Sequence, residues 1–84
     1  MEWKDLRTKH PNRWVLFEAL EARSIDGKRI VDNISVVETF EESEEALKAY
    51  SEFHKKEPQR ELYIAHTQKD DLEILERKWL GVRL

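Results

Sequence analysis

Two neighbouring stretches of the chain, 13–23 and 29–37, carry the apolar, β-branched patterning of strands. Between them lies Ser24-Ile25-Asp26-Gly27-Lys28, and Asp-Gly between apolar runs is a strong hairpin signal. A two-residue turn sets Ile25 opposite Lys28, so paired residue numbers sum to 53. That register puts Phe17 opposite Val36 and Ala19 opposite Ile34, on one face with Val15. It puts Leu16 opposite Val37 on the other face, with Trp14 and Leu20 alongside. It also sets Glu21 against Asp32. Directly opposed like charges are unfavourable, so a bulge or a longer loop is expected near Asp32.

The period then changes. Ala46, Leu47, Tyr50, Phe53 and His54 form one apolar stripe at helical spacing, which predicts a helix from Ser43 to Lys56. Ser43 suits the N-cap, and Glu44 and Glu45 suit the positive end of the macrodipole. Lys55 and Lys56 suit the other end, and Pro58 stops the helix. Residues 61–67 read as a third strand, and residues 2–9 as a short N-terminal helix carrying Trp3 and Leu6. His10-Pro11-Asn12 ends that helix, since the residue before proline avoids the α region. Residues 70–82 fit either a helix or a fourth strand, and the strand builds the better sheet. The expected fold is therefore α+β. It is a small antiparallel sheet in the order β-β-α-β-β, with one amphipathic helix on one face and a short N-terminal helix.

Length makes the chain one domain, since 84 residues cannot build two cores. Hydrophobic and charged residues each make up 39%, so the core is lean and the eight aromatics carry much of it. The absence of cysteine and of an N-terminal apolar segment points to a cytoplasmic protein. The apolar runs fall far short of the ~20 residues of a membrane span. Net charge is −3, with basic residues toward both ends and seven glutamates in 38–57. This pattern argues against a nucleic-acid domain.

No motif for catalysis, metal or cofactor is present. His10, His54 and His66 lack metal-ligand spacing. Asp70-Asp71 reads as a cap or loop, and Glu41, Glu42, Glu44 and Glu45 as a solvated helix start. Gly27 and Gly81 are too far apart for a phosphate loop, and no serine sits in a nucleophile elbow.

One helix covers one face of a sheet. In the expected register Trp14, Leu16, Leu20 and Val37 remain on the other, with Trp79 from the last segment. An antiparallel sheet with a solvated face should alternate there, yet Trp14 to Phe17 is apolar throughout. Either the N- or C-terminal segment covers that face, or another protein does.

The stretches Lys9-His10-Pro11-Asn12-Arg13-Trp14-Val15-Leu16, Glu61-Leu62-Tyr63-Ile64-Ala65-His66-Thr67 and Trp79-Leu80-Gly81-Val82-Arg83 carry a resemblance, together with the Ser43-centred helix start. Along nearly its whole length the chain resembles a family of small uncharacterised bacterial proteins. The resemblance implies no activity and no catalytic residues. The expected function is thus a non-enzymatic protein-interaction module without cofactor. It would be a homodimer or bind a protein partner through Trp14, Leu16, Leu20, Val37 and Trp79. The alternatives are a nucleic-acid-linked, antitoxin-like regulator using Lys4, Arg7, Lys9, Arg13, Arg77, Lys78 and Arg83, and a small hydrolase or metal enzyme. The last requires His66, Asp70 and Glu61 to converge.

Overall fold

The computed structural model describes residues 1–72, 74 and 75. Its elements are α1 (Trp3–Lys9), β1 (Trp14–Ile25), β2 (Lys28–Phe40), α2 (Ser43–Lys56), β3 (Leu62–His66) and a two-residue β4 (Ile74–Leu75). The strands lie in the spatial order β3-β1-β2-β4, and each neighbouring pair is antiparallel.

The β1–β2 hairpin is set by its turn. Asp26 and Gly27 have φ of 48° and 78°, the paired left-handed conformations of a type I′ turn. Ile25 faces Lys28, Phe17 faces Val36 and Ala19 faces Ile34, as the turn dictates. The ladder breaks where like charges would have met. Glu21 faces Asn33, while Leu20 and Asp32 are left without a cross-strand partner. Asp32 instead takes an ion pair from Arg23 at 3.1 Å. A second irregularity lies between Leu16 and Phe17. Leu16 faces Glu38, not Val37, and Val37 is the extra residue of a bulge.

Two expectations about the layers are corrected. The described order is α1-β1-β2-α2-β3, led by a helix, in place of β-β-α-β-β, and of the fourth strand the described residues hold Ile74–Leu75. The rest of the expected strand over 70–82 lies outside the described residues. Moreover, helices cover both faces of the sheet. Trp3 and Leu6 of α1 join Val15, Phe17, Ile34 and Ala65 in one core cluster. Side chains alternate along β1, so Leu16 points the other way. There α2 spans β1, β2 and β3. Its Ala46 is fully buried, as is Leu16, and Leu62 is 5% exposed. The helix expected over Val15 and Phe17 thus covers Leu16, and the N-terminal helix takes the first face.

α1 has only seven residues, too few to persist alone in water. Its docking explains it. The Glu2 N–H donates to the Asp5 carboxylate at 3.4 Å, and the chain turns out of the helix at His10 and Pro11. The Trp3 indole donates to the Lys69 carbonyl at 3.0 Å, and its ring centre lies 6.1 Å from that of Phe17. Leu6 is fully buried, worth about 2 kcal/mol of apolar transfer. α2 begins one residue earlier in its cap than expected. Glu42 is the extended N-cap residue (φ −113°, ψ 143°), and Ser43 is already helical.

Candidate interaction edge

β3 is an edge strand. Among the described residues it pairs with β1 alone. The Thr67 N–H donates to the Arg13 carbonyl and the Ala19 N–H to the Glu61 carbonyl, each at 2.9 Å. Hydrogen-bonded pairs alternate along an antiparallel ladder. The odd residues of β3 therefore spend their backbone groups on β1. Those of Leu62, Ile64 and His66 point away from the sheet, where the Lys69 N–H donates to the His66 carbonyl at 3.1 Å. Such edges are commonly blunted by charge, proline or a bulge. Leu62-Tyr63-Ile64-Ala65-His66 carries no proline and no acidic or lysyl side chain.

α2 presents a matching strip. Residues 43, 47, 50 and 54 follow helical spacing along one line. Leu47 and Tyr50 line an apolar depression of about 240 Å³ with Leu62, Tyr63 and Ile64. Leu47 is 60% exposed, the most exposed large hydrophobic residue among the described residues. This corrects its expected place in the core. The stripe expected at residues 46–54 is wider than the contact with the sheet, and Ala46 occupies the buried side. The Tyr50 and His54 rings stack at 5.7 Å along the same strip.

Both ends of β3 are held. At its start Arg29 grips Glu61 with two hydrogen bonds, 2.7 Å and 2.8 Å, and the Tyr63 hydroxyl donates to the same carboxylate at 2.6 Å. The Arg29 guanidinium, with the Tyr63 hydroxyl, holds the Glu61 carboxyl below the usual range against the opposing effect of burial. Burial and the bond to Glu61 push the Tyr63 phenol up to about 12. On the other face Arg60 bridges Glu18 at 2.7 Å and Glu57 at 2.8 Å. These bonds raise its already high pKa. At the far end the buried Thr67 hydroxyl accepts from the Arg13 N–H at 2.9 Å, and the Thr67 carbonyl accepts from Arg7 Nε at 2.8 Å. Charge-assisted ties of this kind pre-shape the edge, which lowers the ordering cost of adding a strand to it.

The residues expected to form an interface do not form one patch. Leu16 is completely buried and belongs to the core under α2. Trp14 is half-buried, with its ring edge-on to His66 at 5.1 Å. Leu20 is 54% exposed, but at the bulge, and Val37 is half-buried at the other bulge. Trp79 lies outside the described residues. Leu47, Tyr50 and Ile64 are the edge residues that the sequence pattern missed. The available signal was a strand without gatekeeping charge beside a helix with a two-sided stripe.

The other constellations do not assemble. Glu61 sits at one end of β3 with Arg29, and His66 at the other against Trp14, roughly 16 Å of strand away. Asp70 pairs with Arg7 instead, at 3.2 Å. Of the basic residues considered for nucleic acid, Arg7 is tied to Thr67 and Asp70, and Arg13 faces Glu41 at 3.6 Å. Arg77, Lys78 and Arg83 lie outside the described residues. Among the described residues no cluster of three or more His, Asp or Glu could hold a metal ion, and no helix is long and apolar enough to cross a membrane. Compared with family models, curated proteins and solved structures, the chain matches none.

Proposed function

We propose that this domain is a non-enzymatic protein-interaction module of the cytoplasm that works through the open edge of β3 and the adjoining strip of α2. The reading replaces the sheet face first expected, which α2 covers. One observation carries it. Leu47, 60% exposed, stands beside a strand whose outward backbone groups meet no second strand among the described residues. Extended segments add to edges of this kind, with main-chain hydrogen bonds supplying affinity and neighbouring apolar pockets supplying selectivity. The depression under Leu47 and Tyr50 is such a pocket. The absence of cysteine supports a reducing compartment.

A photo-activated cross-linker placed at position 47 in living cells tests the reading. Position 20, similarly exposed, serves as the control. Protein adducts at 47 and none at 20 are expected. Adducts at 20 with none at 47 would overturn the assignment.

A further inference from the structure

We infer that the occupant of this edge is a short, uncharged, extended segment of another protein, added to β3 with an apolar side chain opposite Ile64. The inference rests on the interaction reading above and names the chemistry of its partner.

The strand sets the length of the segment. β3 has five residues, and the chain turns at both of its ends. Before it the Arg60 N–H donates to the Glu57 carbonyl, and after it the Lys69 N–H donates to the His66 carbonyl, each at 3.1 Å. Between the turns the odd residues are spent on β1, and Leu62 is 5% exposed. Ile64, with both backbone groups turned outward, is therefore the centre of the slot. A copy of β3 fits it poorly. Antiparallel pairing about Ile64 would set each Leu62 against the other His66, whose carbonyl already accepts from Lys69. A free segment brings no second occupied carbonyl and no turns of its own.

The depression sets the side chain. Ile64 faces Leu16 across the ladder and so lies on the side of the sheet that α2 covers. A residue paired with Ile64 projects to the same side, toward Leu47 and Tyr50. The depression there, about 240 Å³, has room for one leucine-sized side chain. Charge sets the selectivity. No charged side chain lines the depression. The ions at the start of β3 are already matched, Glu61 by Arg29 and Arg60 by Glu18 and Glu57. A carboxylate or ammonium brought beneath Leu47 would lose water and gain no partner, and that cost offsets what the added strand bonds contribute. The edge is complementary to a neutral segment.

The test titrates the isotope-labelled full chain with the capped peptide acetyl-Thr-Val-Thr-Leu-Thr-Val-Thr-amide and follows the backbone amides by NMR. Saturable shifts at β3 and at Leu47 and Tyr50 are expected, with slowed exchange of the Ile64 amide. The central leucine of the peptide turns its N–H to β3, so N-methylation there should weaken binding about tenfold. The threonine before it turns its N–H to solvent, and N-methylation there should leave binding nearly unchanged. Aspartate or lysine in place of the central leucine should each weaken binding about tenfold. Leu47→Glu should weaken the leucine peptide and strengthen the lysine one. Equal effects of the two methylations would overturn the strand pairing, and equal binding of the charged peptides would overturn the selectivity. Absence of saturable shifts with any of these peptides would overturn the inference as a whole. If position 47 then still cross-links to another protein in cells, the module stands and only this partner chemistry is lost. If those adducts prove to be a second copy of this chain, the inference is overturned in favour of self-association. Absence of both adducts and peptide binding ends both readings.

Discussion

Arg29 on β2 and Glu61 at the start of β3 grip each other across β1 through two hydrogen bonds, at 2.7 Å and 2.8 Å. The pair ties the sheet together at the end where the hairpin extends beyond β3. Arg29, then the Tyr63 hydroxyl, hold the Glu61 carboxyl below its ordinary value of 4.5. A carboxyl with a depressed folded value stabilises the fold above its unfolded value and ceases to do so as pH falls through the folded one. The wild type should therefore lose stability below pH 4.5 faster than Glu61→Gln does. Urea midpoints at neutral and acidic pH measure this. The gap between the two proteins should narrow on acidification, and a constant gap would count against the pair.

The alkaline side depends on Tyr63. Burial and the bond donated to Glu61 raise its phenol from 10.0 to about 12. The neutral phenol is therefore favoured by folding. Its contribution is whole below pH 10 and is lost as pH rises from there to about 12. Tyr63→Phe should be less stable than wild type at neutral pH and should show a shallower fall above pH 10. Equal slopes for both proteins would refute the assignment.

Thr67 offers a test at the opposite end of β3. It is 3% exposed, and its hydroxyl takes the Arg13 N–H at 2.9 Å. Thr67→Val keeps the shape and leaves that donor without its acceptor. The expected cost is about 1–3 kcal/mol. Thr67→Ser keeps the oxygen and should lose much less. Chemical denaturation of the two variants decides, and equal losses would assign the position to packing instead.

Local chemistry made the hairpin legible. Asp26-Gly27 named the turn, the turn named the register, and the clash of Glu21 with Asp32 named the place where the ladder breaks. The bulge at Val37 left no trace in the pattern, because its neighbours Val36 and Phe17 are as apolar as it is. Nor could the pattern assign the helices to faces. α1 docks through Trp3 to Lys69 and Arg7 to Thr67, partners 60 or more residues away. Its seven residues carry too little periodicity to announce that. The same gap moved the candidate site. Leu47 and Tyr50 both read as core on the helical stripe. Only the position of α2 over β3 separates the buried Ala46 from the exposed Leu47.

Leu16 and Leu20 put that correction to a direct test, since one face of the sheet was expected to display both. Leu16 has no exposed surface, while Leu20 at the bulge is 54% exposed. Leu16→Ala leaves a cavity beneath α2 and should cost about 2–5 kcal/mol. Leu20→Ala removes a side chain already largely in water and should change stability by about 0.5 kcal/mol or less. Neither residue lies on the Leu47–Tyr50–Ile64 strip. Cross-linking from position 47, corrected for the unfolded fraction of Leu16→Ala, should therefore be unchanged in both. Urea denaturation and in-cell cross-linking of the pair measure the two quantities separately. Loss of adducts in folded Leu20→Ala would return the interface to the bulge and away from β3.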